Sequence, residues 1–172
     1  MRCGVLIVSL VATALLSSAM GRQARVMKAT GGVGIVPLEL IRSWARADPL
    51  VERWRTNDRG RGLRAARQSL LLDFAFIVAY VVLLVTLAAC AADHAEARGW
   101  TGWALAARVA GGTALVAGLS DVVEDTALLL VLRGDHSQDW PRLAFWSAVV
   151  KFSGLAGAAV VLVTVGVAFA AA

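Results

Sequence analysis

The sequence predicts an all-α, polytopic membrane protein: four transmembrane helices packed as a bundle, plus a cytoplasmic amphipathic helix at the interface. Three observations carry this expectation. Hydrophobic residues make up 59% of the chain, against about 45–50% in soluble domains, and the mean hydropathy is +0.71. They gather in four runs, at about 3–20, 69–92, 109–132 and 143–167, each close to the ~20 residues that cross a bilayer as a helix. The charges are badly mixed: 11 of the 17 Lys and Arg fall between Arg22 and Arg67, against four acids there. Lys and Arg accumulate on the cytoplasmic side. Residues 21–66 are therefore expected inside a cell (inner) membrane, with both termini outside. The length of 172 residues suits one integral membrane domain, 1–172.

The first run is near the lower length limit for a span. Arg2 in front and Ser17-Ser18-Ala19 behind also fit a signal peptide with a small-residue cleavage site. Cleavage would leave the basic segment outside, so a retained helix is favoured. Thr30-Gly31-Gly32-Val33-Gly34 then reads as a flexible break. After Pro37, Leu40, Ile41, Trp44 and Ala47 follow helical spacing, with Glu39, Arg42, Ser43 and Arg46 opposite. Such a helix is expected to lie flat on the inner membrane surface, although its apolar side could instead pack on protein. Asp48-Pro49 reads as an N-cap and first helical position, with Leu50, Val51 and Trp54 continuing the apolar side. Asn57 to Gly62 reads as a polar loop broken by Gly60 and Gly62. Trp44, Arg42, Arg46, Trp54, Arg64 and Arg67 are the candidates for contact with lipid headgroups.

In the second run, Asp73, Ile77 and Tyr80 share one helix face. Trp100 and Trp103 mark the outer interface before the third run. There Gly111, Ala114, Gly118, Asp121 and Asp125 repeat at 3-4-3-4 spacing and make one seam. Its outer half is small enough for close helix contact; its inner half is acidic. The fourth run carries a single charge, Lys151, and a small face of Gly154, Gly157 and Ala158.

The candidate site is this polar cluster: Asp73, Tyr80, Asp121, Glu124, Asp125 and Lys151. Lys151 is eight residues past Leu143 and Glu124 is eight before Leu132, so both lie roughly 12 Å from the inner helix ends. Antiparallel neighbours would bring Lys151 level with Glu124 and Asp125. A registering salt bridge is the plain structural reading, and such pairs contribute little net stability. It leaves the count unexplained, because four acids face one Lys and cannot all ionise in a dry site. No metal is expected; Asp121, Glu124 and Asp125 are the weak alternative for one. Cys3 and Cys90 both fall at outer helix ends and could form a disulfide, although two unpaired thiols are the simpler expectation. His94 and His136 lie outside the apolar runs, which disfavours a haem held by histidines inside the membrane.

Pro-Leu-Glu-Leu at 37–40, Leu72-Asp73-Phe74-Ala75-Phe76-Ile77-Val78-Ala79-Tyr80, Asp121-x-x-Glu124-Asp125 and Lys151 resemble small bacterial four-helix membrane proteins, over about residues 36–155. Where this chain has Asp125, the family pattern has Asn about as often. The resemblance implies the fold and the membrane, and brings no established activity. No Walker A, nucleophile elbow or H-E-x-x-H motif occurs. The leading expectation is therefore a small accessory or interaction protein rather than an enzyme. The alternatives are a proton or small-solute carrier using the cluster, and a metal-dependent lipid-modifying enzyme holding Mg²⁺ on D-x-x-E-D. Expected partners are the bilayer, anionic headgroups and a larger membrane complex or homo-oligomer. No cofactor and no nucleic acid are expected.

Overall fold

In a computed structural model, residues 2–171 are described and every regular element among them is helical. Four helices are long: α1 (Arg2–Gly31), α4 (Arg61–Ala97), α5 (Thr101–Arg133) and α6 (Trp140–Ala170). Two short ones, α2 (Val36–Glu39) and α3 (Trp44–Thr56), lie between α1 and α4. Three helical stretches are long and apolar enough to cross a membrane: α1, the apolar part of α4, and α6. The remaining long helix, α5, has the same length class and carries Asp121, Glu124 and Asp125.

The long helices pack in chain order, α1 on α4, α4 on α5 and α5 on α6, while α4 and α6 barely touch. The long helices therefore pack as a folded row in which α4 and α6 stay largely apart. Short connections, Arg98–Trp100 and Gly134–Asp139, make α4 and α5, and α5 and α6, antiparallel neighbours. Gly134, at φ 79°, ends α5 with its N–H on Val131 and that of Asp135 on Leu130, a left-handed cap that glycine adopts freely.

The large buried side chains sit at the basic end of the row. Met27, Leu38, Trp54, Leu70, Leu128 and Leu132 form that core. Along the rest of the helices many buried positions are small, including Ala88, Ala107, Ala110, Ala114, Ala117 and Ala158. Large apolar side chains point outward instead, among them Val8 at 69%, Leu119 at 70% and Val160 at 66% exposed. An apolar surface of that extent is foreign to a soluble monomer.

Several local expectations are corrected. Helix α1 does not stop near Met20 but carries Arg22, Arg25 and Lys28 onward to Gly31. Leu40–Ser43 is not helical, so the pattern after Pro37 divides into α2 and α3. Ser43, extended at φ −149° and ψ 149°, precedes α3, and Asp48-Pro49 lies within that helix rather than starting it. Pro49 lies on the exposed side of α3, where the Ala45 carbonyl that loses its i+4 donor is open to solvent.

The apolar side of α3 does not lie on a membrane surface. Ala47, Leu50, Val51 and Trp54 are buried in the protein core. Trp54 is wedged between α1 and α4: a Cβ on Gly31 would collide with its ring, and one on Gly62 would meet its Cδ1 at 2.9 Å. Gly62 is thus a packing notch inside α4 and no breaker. The reversal between α3 and α4 falls at Asp58 and Arg59, both at positive φ, with Gly60 at φ 73°.

Candidate functional site

Helix α5 presents two adjacent polar faces. The seam of Gly111, Ala114, Gly118, Asp121 and Asp125 turns towards α4, where a Cβ on Gly118 would collide with Val81 and lie 3.7 Å from the Tyr80 hydroxyl. The absence of that Cβ lets the helices approach closely enough for the Tyr80 hydroxyl to donate to Asp121 Oδ2 at 3.0 Å. The neighbouring face, with Ala117, Ser120 and Glu124, turns towards α6. A Cβ on Gly154 would lie 3.2 Å from that of Ala117, and the Ser120 hydroxyl donates to the Ser147 carbonyl at 3.0 Å. Asp121 lies where both faces can use it.

Lys151 enters from α6 and collects three carboxylates. Its Nζ is 2.7 Å from Glu124 Oε2, 3.0 Å from Asp121 Oδ1 and 3.7 Å from Glu39 Oε2. The lysine is 6% exposed, and its partners Glu39, Asp121 and Glu124 are 5%, 3% and 0% exposed. Glu39 is the residue that sequence reasoning missed. It was expected on the polar side of an interfacial helix; instead α2 lies against α6 and α5 and turns Glu39 inward. One signal could have found it: Glu39 is the lone charge between Ile35 and Ile41, in a segment otherwise as apolar as a span. Burial raises the Glu39 carboxyl above its ordinary value of 4.5, opposed by the positive charge of Lys151.

Asp73 and Asp125 take no part in the lysine pairs. Their carboxylates join that of Asp121 instead, with one oxygen from each of the three lying within 4.8 Å of the others. The acidic trio therefore differs from the Asp121, Glu124, Asp125 set suggested by spacing. Residue 124 sits about 100° around the helix from residue 125, so Glu124 faces α6 while Asp125 faces α4. Lys151 does not reach Asp73, because α4 and α6 barely touch. Asp125 Oδ2 is buried and has no hydrogen-bond donor among the described residues.

The six interface candidates divide. Trp54 is fully buried and cannot serve as a headgroup anchor. Trp44 stacks on His136 at 3.9 Å, and its ring N–H donates to the Gln138 carbonyl at 3.1 Å. Arg42 lies over the Phe145 ring at 3.9 Å. Arg64 donates to the Arg59 carbonyl at 2.8 Å, and Arg67 to that of Leu132 at 3.4 Å. Arg46 is exposed. Cys3 and Cys90 are free thiols, so the disulfide is not present.

Fold and site together describe an all-helical protein with a buried acid cluster centred on one lysine. Compared with protein-family models, curated proteins and solved structures, the chain matches none. Chemically, the five buried acids Glu39, Asp73, Asp121, Glu124 and Asp125 far exceed the single positive charge of Lys151. Burying that imbalance is costly unless protons or a cation supply the difference.

Proposed function

We propose that the chain is a small accessory or interaction protein of the cell membrane, in which the Lys151 cluster latches a basic cytoplasmic segment onto the membrane-embedded helices. The observation that carries this reading is the joint hold of Lys151 on Glu39, Asp121 and Glu124. Only Glu39 belongs to the segment between α1 and α4, so the lysine ties that segment to α5 and α6. In this reading α1, α4, α5 and α6 all span, residues 21–66 are cytoplasmic, and both termini are outside. The outward apolar residues of all four long helices support it. The exposed Arg22, Arg25, Lys28, Arg46, Arg53, Arg61 and Arg64 would then form a platform for anionic headgroups or an acidic partner.

Purification of the tagged full chain from native membranes, after crosslinking, tests the proposal. A partner at fixed stoichiometry is expected, and it should be lost from a Glu39→Gln, Lys151→Met variant that still folds. A chain that purifies alone and moves protons or solute across liposomes would overturn the accessory reading in favour of a carrier.

A further inference from the structure

The latch leaves one part of the cluster unexplained. Lys151 pairs with Glu39, Asp121 and Glu124, all on its own side of α5. On the α4 side, Asp73, Asp121 and Asp125 converge with no basic side chain among them. Tyr80 contributes one neutral O–H, and it goes to Asp121 Oδ2. Asp125 is 1% exposed, and its Oδ2 meets no donor. An orphaned buried carboxylate oxygen costs more than a satisfied one gains. Asp73 and Asp125 crowd two further carboxylates against Asp121, and Lys151 reaches only Asp121 of the three.

From this geometry we infer that Asp73, Asp121 and Asp125 form a binding site for one hard divalent cation. Carboxylate oxygens are the ligands such ions prefer. At metal–oxygen distances of ~2.0–2.1 Å for Mg²⁺ and ~2.3–2.6 Å for Ca²⁺, ligands on opposite sides of one ion lie about 4.1 Å and about 4.6–5.2 Å apart. The three oxygens, all within 4.8 Å of one another, are close enough for one such ion to bridge them with small inward movements of the side chains. The ligands are also well placed to be held. Asp121 and Asp125 are one turn apart on α5, fixing two of them on one face, and Asp73 comes from the facing side of α4. Asp121 is the shared member: its Oδ1 meets Lys151 and its Oδ2 accepts from Tyr80, so the ion would share one of these oxygens. The ion would thus connect α4 to the lysine latch, which by itself reaches α4 only through Tyr80. Asp73, at 8% exposed, is the least buried of the three and marks the side from which an ion enters.

Mn²⁺ is the probe, added to the purified full chain in detergent micelles and followed by its electron paramagnetic resonance signal. One saturable Mn²⁺ per chain is expected, with a thermal midpoint that rises in Mn²⁺ and falls back on chelation. Asp73→Asn and Asp125→Asn should each weaken binding by at least about tenfold, since even outer-shell partners act on that scale. Glu39→Gln, which breaks the latch and leaves the three aspartates alone, should bind Mn²⁺ as the wild type does. Folded wild-type protein with no saturable Mn²⁺ and no chelation-sensitive midpoint would overturn the site. So would binding that survives both aspartate changes. Should an aspartate variant fail to fold, the wild-type stoichiometry and chelation shift still decide the matter. Because Glu39→Gln separates the two, loss of the latch reading and loss of the cation site give different results.

Discussion

Lys151 concentrates the risk in this protein at one nitrogen. It is 6% exposed and neutralises carboxylates from two other elements. Removing one partner of a buried ion pair leaves the others without their counter-charge, which costs about 3–5 kcal/mol. Lys151→Met should therefore lower stability by about that amount in denaturation or steric-trapping measurements. Lys151→Met combined with Glu124→Gln should recover much of the loss, because both charges then leave together. Glu39 allows a pH test. Burial raises its carboxyl above 4.5, so the folded chain holds this proton more tightly than the unfolded chain does. A group of that kind favours folding at low pH, and the advantage fades as pH rises from about the unfolded value through the folded one. Lys151, Glu124 and Asp121 face it from α6 and α5 and are the same in both variants. Thermal midpoints of wild type and Glu39→Gln compared between pH 4 and pH 8 should diverge, with the Gln variant gaining ground as pH rises.

At the scale of elements, the decisive feature is how near α4 comes to α5. Gly118 sits where a Cβ would collide with Val81, and the Tyr80 hydroxyl is 3.7 Å from that position. Gly118→Val should push the helices apart, break the 3.0 Å Tyr80–Asp121 bond and cost about 1–3 kcal/mol through overpacking. Thermal unfolding followed by circular dichroism reads this directly. Gly111 and Gly118 were legible as contact points, because small residues at 3-4 spacing on an apolar helix have one common use. The fate of α3 was not legible. An amphipathic helix with Trp54 on its apolar side serves a membrane surface or a protein groove equally well. The notch that receives Trp54 is made by Gly31 and Gly62, which lie far apart in sequence and look like ordinary breakers.

For the whole molecule, a row of four helices exposes more apolar surface than a closed bundle, and α1 contacts the row mainly through α4. The proposed topology is tested by thiol labelling in a background lacking Cys3 and Cys90. Arg59→Cys should react only from the cytoplasmic side and His94→Cys only from outside. Labelling of position 59 by an impermeant reagent on intact cells would reverse the topology. In the native chain, titration under denaturing, non-reducing conditions should find two free thiols, in line with the unpaired Cys3 and Cys90.

What the sequence determined by itself was the class: an all-helical chain, apolar runs of spanning length, and a lysine and acids on neighbouring apolar helices. Those features follow from period and composition, which local physics reads without long-range information. Tertiary structure alone decided which acids the lysine takes. Glu39 reached it because α2 folds inward from a segment separated from Lys151 by α3, α4 and α5. Glu124 parted from Asp125 because one residue along a helix rotates a side chain by about 100°, and only the placement of α4 and α6 around α5 shows which partner each then meets. Spacing along one helix sets the angle between two carboxylates; it does not say what stands opposite them.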